Sequence, residues 1–193
     1  MTWRAGSGIT SLLRIFFLIP FLLGPADLAA GRGYKSVLKK WSRHDKVYTF
    51  DNLEMKLAWE ATYFSDDFQK VYWEKIARWK GWLGEEGEKK IREEQKQFAS
   101  HDLFFVAVYA GSSAEPGFGD VGQWRIALET GGKRVESARW ERAKITPLEK
   151  RLFPYLNKWS KGYWVYFPKV IRENQPFSLK MLGMPIQSEL AFK

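Results

Sequence analysis

The chain has 193 residues, 45% of them apolar, with 10 Trp, 8 Tyr and 14 Phe and a formal net charge of +9. That length suits one domain plus an appendage, and the apolar share suffices for a packed core. Cysteine is absent, which excludes disulfides, thiolate nucleophiles, cysteine-ligated zinc and an anchor built on a lipidated cysteine.

At the N-terminus, Arg4 and Arg14 precede IFFLIPFLL, residues 15–23. This apolar run matches the core of an export signal and falls short of the roughly 20 residues that span a bilayer as a helix. Pro20 and Gly24 oppose a long straight helix. Leu28-Ala29-Ala30 offers a small residue at a cleavage position. Residues 1–30 therefore read as a signal peptide and the protein as exported, periplasmic or extracellular. Retention of the segment would make it a membrane-anchored protein instead; a third reading buries the segment in the fold.

Residues 31–46 (GRGYKSVLKKWSRHDK) are basic with little periodicity and read as an N-terminal arm. The body then runs from 47 to 193. A short strand is expected at 47–50, then a turn at Asp51-Asn52. Next comes a long alternation: Met55, Leu57, Trp59, Ala61 and Tyr63 on one face, and Glu54, Lys56, Ala58, Glu60 and Thr62 on the other. This predicts a strand with one face to the core and one to water.

Ser65 is placed to cap a helix, with Asp66 and Asp67 in its first turn, where the dipole favours negative charge. Phe68, Val71, Tyr72, Ile76, Trp79 and Leu83 recur at helical spacing, and Gly84 is the expected stop. The charged EEGEKKIREEQKQF that follows has only Ile91 and Phe98 as an apolar side. It reads as a solvated helix lying loosely on the body. The helical insertion thus covers 66–98 and lies over an end or face of a sheet.

The remainder reads as β. The continuously apolar 102–110 suits a strand buried on both faces, and 111–122 is a loop by composition. Trp124, Ile126 and Leu128 alternate; Thr130-Gly131-Gly132-Lys133 is a hairpin turn, with 134–140 as the return strand. Thr146-Pro147-Leu148-Glu149 has capping-box spacing with proline at the first helical position, and Pro154 closes that turn. Strands are expected at 163–167, 177–182 and 186–192. The sum is a mainly β chain: an antiparallel β-sandwich or open barrel of about eight strands with a helical insertion, joined by Greek-key connections.

Charge is unevenly distributed. Residues 133–180 hold 12 Lys/Arg against 4 Asp/Glu, whereas 31–132 hold 16 of each. If those strands lie together, one flank is strongly positive. Aromatics interleave the stretch, which makes Arg139, Arg142, Lys158, Lys161, Trp159 and Trp164 the candidate binding residues. The bland reading is solubility and protected sheet edges. In YWVYFP, residues 163–168, both faces are aromatic. That fits a central strand packed on both sides, or a platform presenting Trp164 and Tyr166 to sugar or lipid.

Motifs for chemistry are missing. His44 and His101 are the only imidazoles, and their surroundings match no metal-ligand spacing. No nucleophile elbow is present. The paired acids Asp66/Asp67 and Glu85/Glu86 are neighbours on exposed turns, unable to face each other across a cleft as glycoside hydrolysis requires. No cofactor is implied. The expected function is non-enzymatic: an exported envelope protein acting by binding or assembly through its basic, aromatic surface. Its partner would be an envelope protein, an anionic glycan or lipid, with peripheral membrane contact compatible. Nucleic acid is argued against by the export signal. The alternative is a carbohydrate-binding or carbohydrate-active β-sandwich.

Overall fold

Period-two alternation governs the fold, and among the described residues it does so in nine strands. The computed structural model of the chain describes residues 26–48, 53–110, 124–183 and 186–193. In order these form α1 (Ala26–Trp41), β1 (Ser42–Tyr48), β2 (Met55–Tyr63), α2 (Asp66–Lys80), α3 (Gly84–Ala99), β3 (His101–Ala110), β4 (Trp124–Thr130), β5 (Lys133–Glu136), β6 (Arg139–Arg142), α4 (Pro147–Leu152), β7 (Lys161–Pro168), β8 (Phe177–Gly183) and β9 (Gln187–Phe192). The first sheet has the order β1-β2-β3-β7-β6 and the second β5-β4-β8-β9. Every pairing is antiparallel. The fold is a mainly β sandwich with helices inserted between neighbouring strands β2 and β3.

The inner faces meet in one core. Leu57, Trp59, Ala61 and Tyr63 of β2 pack with Phe104, Val106 and Val108 of β3 and with Ile126, Leu128, Leu179, Met181 and Phe192 from the second sheet. Phe177 and Phe192 stack with ring centroids 4.8 Å apart. Each fully buried side chain of this kind contributes about 1.5–3 kcal/mol. Two seams close the layers. Arg43 Nε donates to the Ala191 carbonyl at 3.0 Å, and Ser188 Oγ donates to the Asp45 carboxylate, drawing β1 against β9. Buried Asp102 anchors the link from β7 to β8, accepting from the backbone N–H of Val170 and of Ile171, each at 2.7 Å.

A second core lies on the outer face of the first sheet, beneath the helices. Phe64, Phe68, Tyr72, Trp73, Phe105, Leu152, Phe153 and Tyr166 are buried there with Tyr34 and Leu38 of α1. The face of β2 expected to meet water is therefore partly covered. Thr62 is fully buried, because the helical layer lies over that end of the strand.

Several boundaries differ from the sequence expectation. Residues 31–46 are not a separate arm: they complete α1 and most of β1. Tyr34, Val37, Leu38 and Trp41 recur at three- and four-residue spacing and pack on the outer cluster, while β1 pairs with β2 from Ser42 to Tyr48. A cut after Ala30 would fall inside α1 and leave Tyr34 and Leu38 attached. The helix expected to stop at Gly84 stops at Gly81, whose φ of 65° caps α2 in the left-handed region. The return strand expected at 134–140 breaks at Ser137-Ala138. Its first part pairs in the second sheet as β5 and its second crosses to the first sheet as β6, giving nine strands. Ile91 and Phe98 do give α3 its apolar side, and the capping box at Thr146 and Glu149 forms as read. The expected signal through residue 25 and the 111–122 loop lie outside the described residues. No helix among the described residues is long and apolar enough to cross a membrane.

Candidate functional site

Where the helical cover stops, small side chains leave a hollow. Ala58 and Glu60 of β2 and Ala107 of β3 form its floor. His44 and Lys46 of β1, Tyr109 of β3, and Tyr155, Asn157 and Ser160 from the α4–β7 connection form its walls. The space is about 340 Å³, within the range of small-ligand pockets.

Alternation explains who faces inward. His44 sits directly opposite Glu60 in the β1–β2 register, and Glu60 opposite Ala107. Burial pushes the Glu60 carboxyl above the usual range, and His44 pulls it part of the way back. Tyr155 is pinned by a polar chain: its hydroxyl and Thr62 Oγ1 lie 2.8 Å apart, and Thr62 Oγ1 and Ser42 Oγ 2.7 Å apart. Burial raises the Tyr155 phenol well above its ordinary value, so it stays a neutral hydrogen-bonding group. Asp45 also borders the space, yet its carboxylate is held by Ser188, which in turn receives the indole N–H of the core residue Trp59. It thus turns to the opposite face from Glu60, and the two acids do not face each other across the hollow. That removes the geometry a carboxylate-pair glycosidase uses.

The lip is a short turn. Asn157 Oδ1 accepts from the backbone N–H of Trp159 at 2.8 Å and of Ser160 at 3.0 Å. This Asx turn holds Trp159 with 65% of its surface exposed. The Lys158 ammonium lies 4.6 Å from the Trp159 ring centroid, a cation–π distance.

The residues singled out from the sequence divide. Lys158, Trp159, Lys161 and Arg142 come to the same end of the first sheet, since Arg142 pairs with Tyr163 and Ala143 bonds Gly162 next to Lys161. Arg139 lies three residues further along the edge strand, 3.1 Å from Glu141 and 4.1 Å from the Tyr166 ring centroid. Trp164 is packed among Phe64, Phe105 and Phe153 under the helices. β7 is thus an inner strand with aromatic packing on both faces. The positive stretch does not form one flank either. Arg134 and Lys180 lie on the second sheet, each 2.7 Å from Glu129, and Lys169 lies 3.7 Å from Asp102. The sheet order separates strands that are close in sequence.

Sequence reasoning weighed His44 only as a metal ligand and Glu60 only as a water-facing strand residue, and did not single out Tyr155 or Asn157. Only Asn157 in LNKWSKG carried a local turn signal; the His44–Glu60 juxtaposition needs the strand register. His101 opens β3, where it pairs with Pro168, far along the sheet from His44. A second hollow of about 300 Å³ lies between α2 and α3 around Lys70 and Gln95. It has no exposed aromatic lip like Trp159. The sequence matches no protein-family model, and no curated protein matches it.

Proposed function

We propose that the protein is an exported, non-enzymatic binding protein whose ligand is an acidic saccharide chain, taken at the pocket and its Lys158–Trp159 lip. The observation that carries this reading is Trp159: a large aromatic fixed by an Asx turn, exposed over most of its surface, beside a pocket lined by hydrogen-bonding groups. Aromatic faces stack on sugar rings while polar groups fix orientation. Asn157, Ser160, Glu60 and His44 supply donors and acceptors for hydroxyls. Lys46, Lys158, Lys161 and Arg142 supply the positive field for a carboxylate or phosphate on the chain.

Calorimetric titration with oligogalacturonate, against a neutral gluco-oligosaccharide of equal length, tests it. Oligogalacturonate should bind and the neutral chain bind much less, with affinity falling as salt rises. Trp159→Ala should weaken binding about tenfold or more, as loss of an aromatic anchor does, without changing the unfolding midpoint. Equal binding of both saccharides, or an unaltered affinity in Trp159→Ala, would refute the reading.

A further inference from the structure

We propose that the corner joining α2 to α3 is a membrane-docking edge that seats on an anionic lipid surface. The claim is independent of the saccharide pocket.

The corner is apolar where a folded domain would ordinarily be polar. Leu83 has 81% of its surface exposed and Trp79 38%, and half-buried Trp82 lies between them in sequence. The left-handed cap at Gly81 ends α2 abruptly, and the Trp82 N–H closes back on the Ala77 carbonyl at 2.8 Å. A tight turn therefore projects Trp79 and Leu83 rather than a frayed end.

Cations lie against the two tryptophans of the corner. The Lys75 ammonium lies 4.8 Å from the Trp79 ring centroid and 3.9 Å from that of Tyr34, and the Lys80 ammonium lies 4.6 Å from that of Trp82. Partial burial is the main cause that pulls the Lys75 ammonium below its ordinary value, with Lys35 and Arg78 adding like-charge repulsion. Glu85 and Glu86 follow Leu83, and Glu86 is bridged to Lys90 at 3.1 Å. Exposed tryptophan and leucine with lysines alongside is the composition that partitions into the headgroup region of anionic bilayers.

The path of α1 points the same way. Lys40 near its end bridges Asp67 near the start of α2 at 3.1 Å, while Tyr34 meets Phe68 and Lys75. The two helices are antiparallel. At 1.5 Å of rise per residue, that register brings the first turn of α1 beside the last turn of α2, the Trp79–Leu83 corner. That register adds Lys35 of α1 to the lysines against Trp79 and Trp82, and this positive charge favours an anionic lipid surface over an apolar protein partner.

The absence of cysteine makes the test clean. The full chain is prepared as Leu83→Cys and, separately, as Gln187→Cys on the exposed face of the second sheet, each carrying one environment-sensitive fluorophore. On phosphatidylglycerol–phosphatidylcholine vesicles the label at 83 should shift to the blue and be quenched by spin-labelled lipid, while the label at 187 stays as in water. Phosphatidylcholine alone should give little shift. Adding Arg78→Glu and Lys80→Glu should lower the lipid-bound fraction at site 83 at least tenfold, since each cation at an anionic surface is worth about 1 kcal/mol. The same pair should leave oligogalacturonate affinity unchanged, separating this claim from the pocket. A label at 83 that stays aqueous on vesicle-bound protein would overturn the proposal. So would an equal shift on neutral vesicles. A shift that grows with protein concentration without lipid would assign the corner to a second copy of the chain and would likewise overturn it.

Discussion

The outer faces of the two sheets obey the same alternation and end in opposite chemistry. On the first sheet the outward positions are Phe105, Trp164 and Tyr166, roofed by helices and by the α4–β7 connection. On the second they are exposed Arg125, Arg134 and Glu189 with half-buried Glu129 and Lys180, and no helix among the described residues covers them. There Glu129 takes Lys180 and Arg134 at 2.7 Å each, and Lys180 also reaches Glu189 at 3.6 Å. What a charged strand means in this molecule depends on whether its face is covered. Where the face is open, opposite charges pair across strands and neutralise each other. Where it is roofed, charge is replaced by aromatic rings. The candidate pocket sits where the roof ends, and there Glu60 and His44 face a floor of alanines.

The largest break in this contrast should come from the roofed face. Phe153 is fully buried and stacks on Phe105 with centroids 4.0 Å apart and planes 10° apart. Phe153→Ala should cost about 3–5 kcal/mol, read as a lower urea midpoint. A loss under 1 kcal/mol would mean that the helices do not stabilise the sheet.

A smaller and opposite effect is expected at the pocket. Burial raises the Glu60 carboxyl above its unfolded value, so the folded state holds that proton more readily. Ionised Glu60 therefore costs stability. The cost is absent below the unfolded pKa, grows as pH rises towards the folded value, and is complete above it. Glu60→Gln should raise the urea midpoint at neutral pH, with the gain vanishing in acid, while weakening saccharide binding. A stability gain that persists in acid would contradict this origin.

The smallest effect belongs to the open face. Hydrogen bonds from Lys180 and then Arg134 hold the Glu129 carboxyl below its ordinary range. Its contribution is present above the unfolded pKa and lost as pH falls through the folded one. Glu129→Gln should destabilise slightly at neutral pH and low salt, and match the parent in acid or high salt. A loss rivalling that of Phe153→Ala would show that the ion mesh, and not packing, holds the second sheet.

Much of this was legible from the sequence. The alternation from Met55 to Tyr63, the apolar run of β3, the Thr130–Lys133 turn and the Thr146 cap are local signals, and each element forms where its own residues ask for it. What stayed hidden was non-local. The helical spacing of Tyr34, Val37, Leu38 and Trp41 was present but masked by lysines, because charge density suggested an arm. The break at Ser137-Ala138 depends on a second sheet standing close enough to receive Arg139–Arg142. The positive stretch suggested one flank, but sheet order, invisible in composition, carried Arg134 and Lys180 to one layer and Lys158 and Lys161 to another. Trp159 and Trp164 are five residues apart; an Asx turn exposes one and the helical layer half-buries the other.

The seam between β1 and β9 has a consequence for how the polypeptide matures. Arg43 and Ala191, joined there, are 148 residues apart in the chain. Contacts of such long range form late, since loop closure must precede them. Until β9 docks, the β1 edge is open and Ser188 cannot bridge Trp59 to Asp45. A nascent chain would thus remain unlatched along that edge until β9 has been made. Deleting residues 187–192 should therefore leave a species that is compact around the helices but unsealed along that edge, readily digested and prone to pair with its own kind.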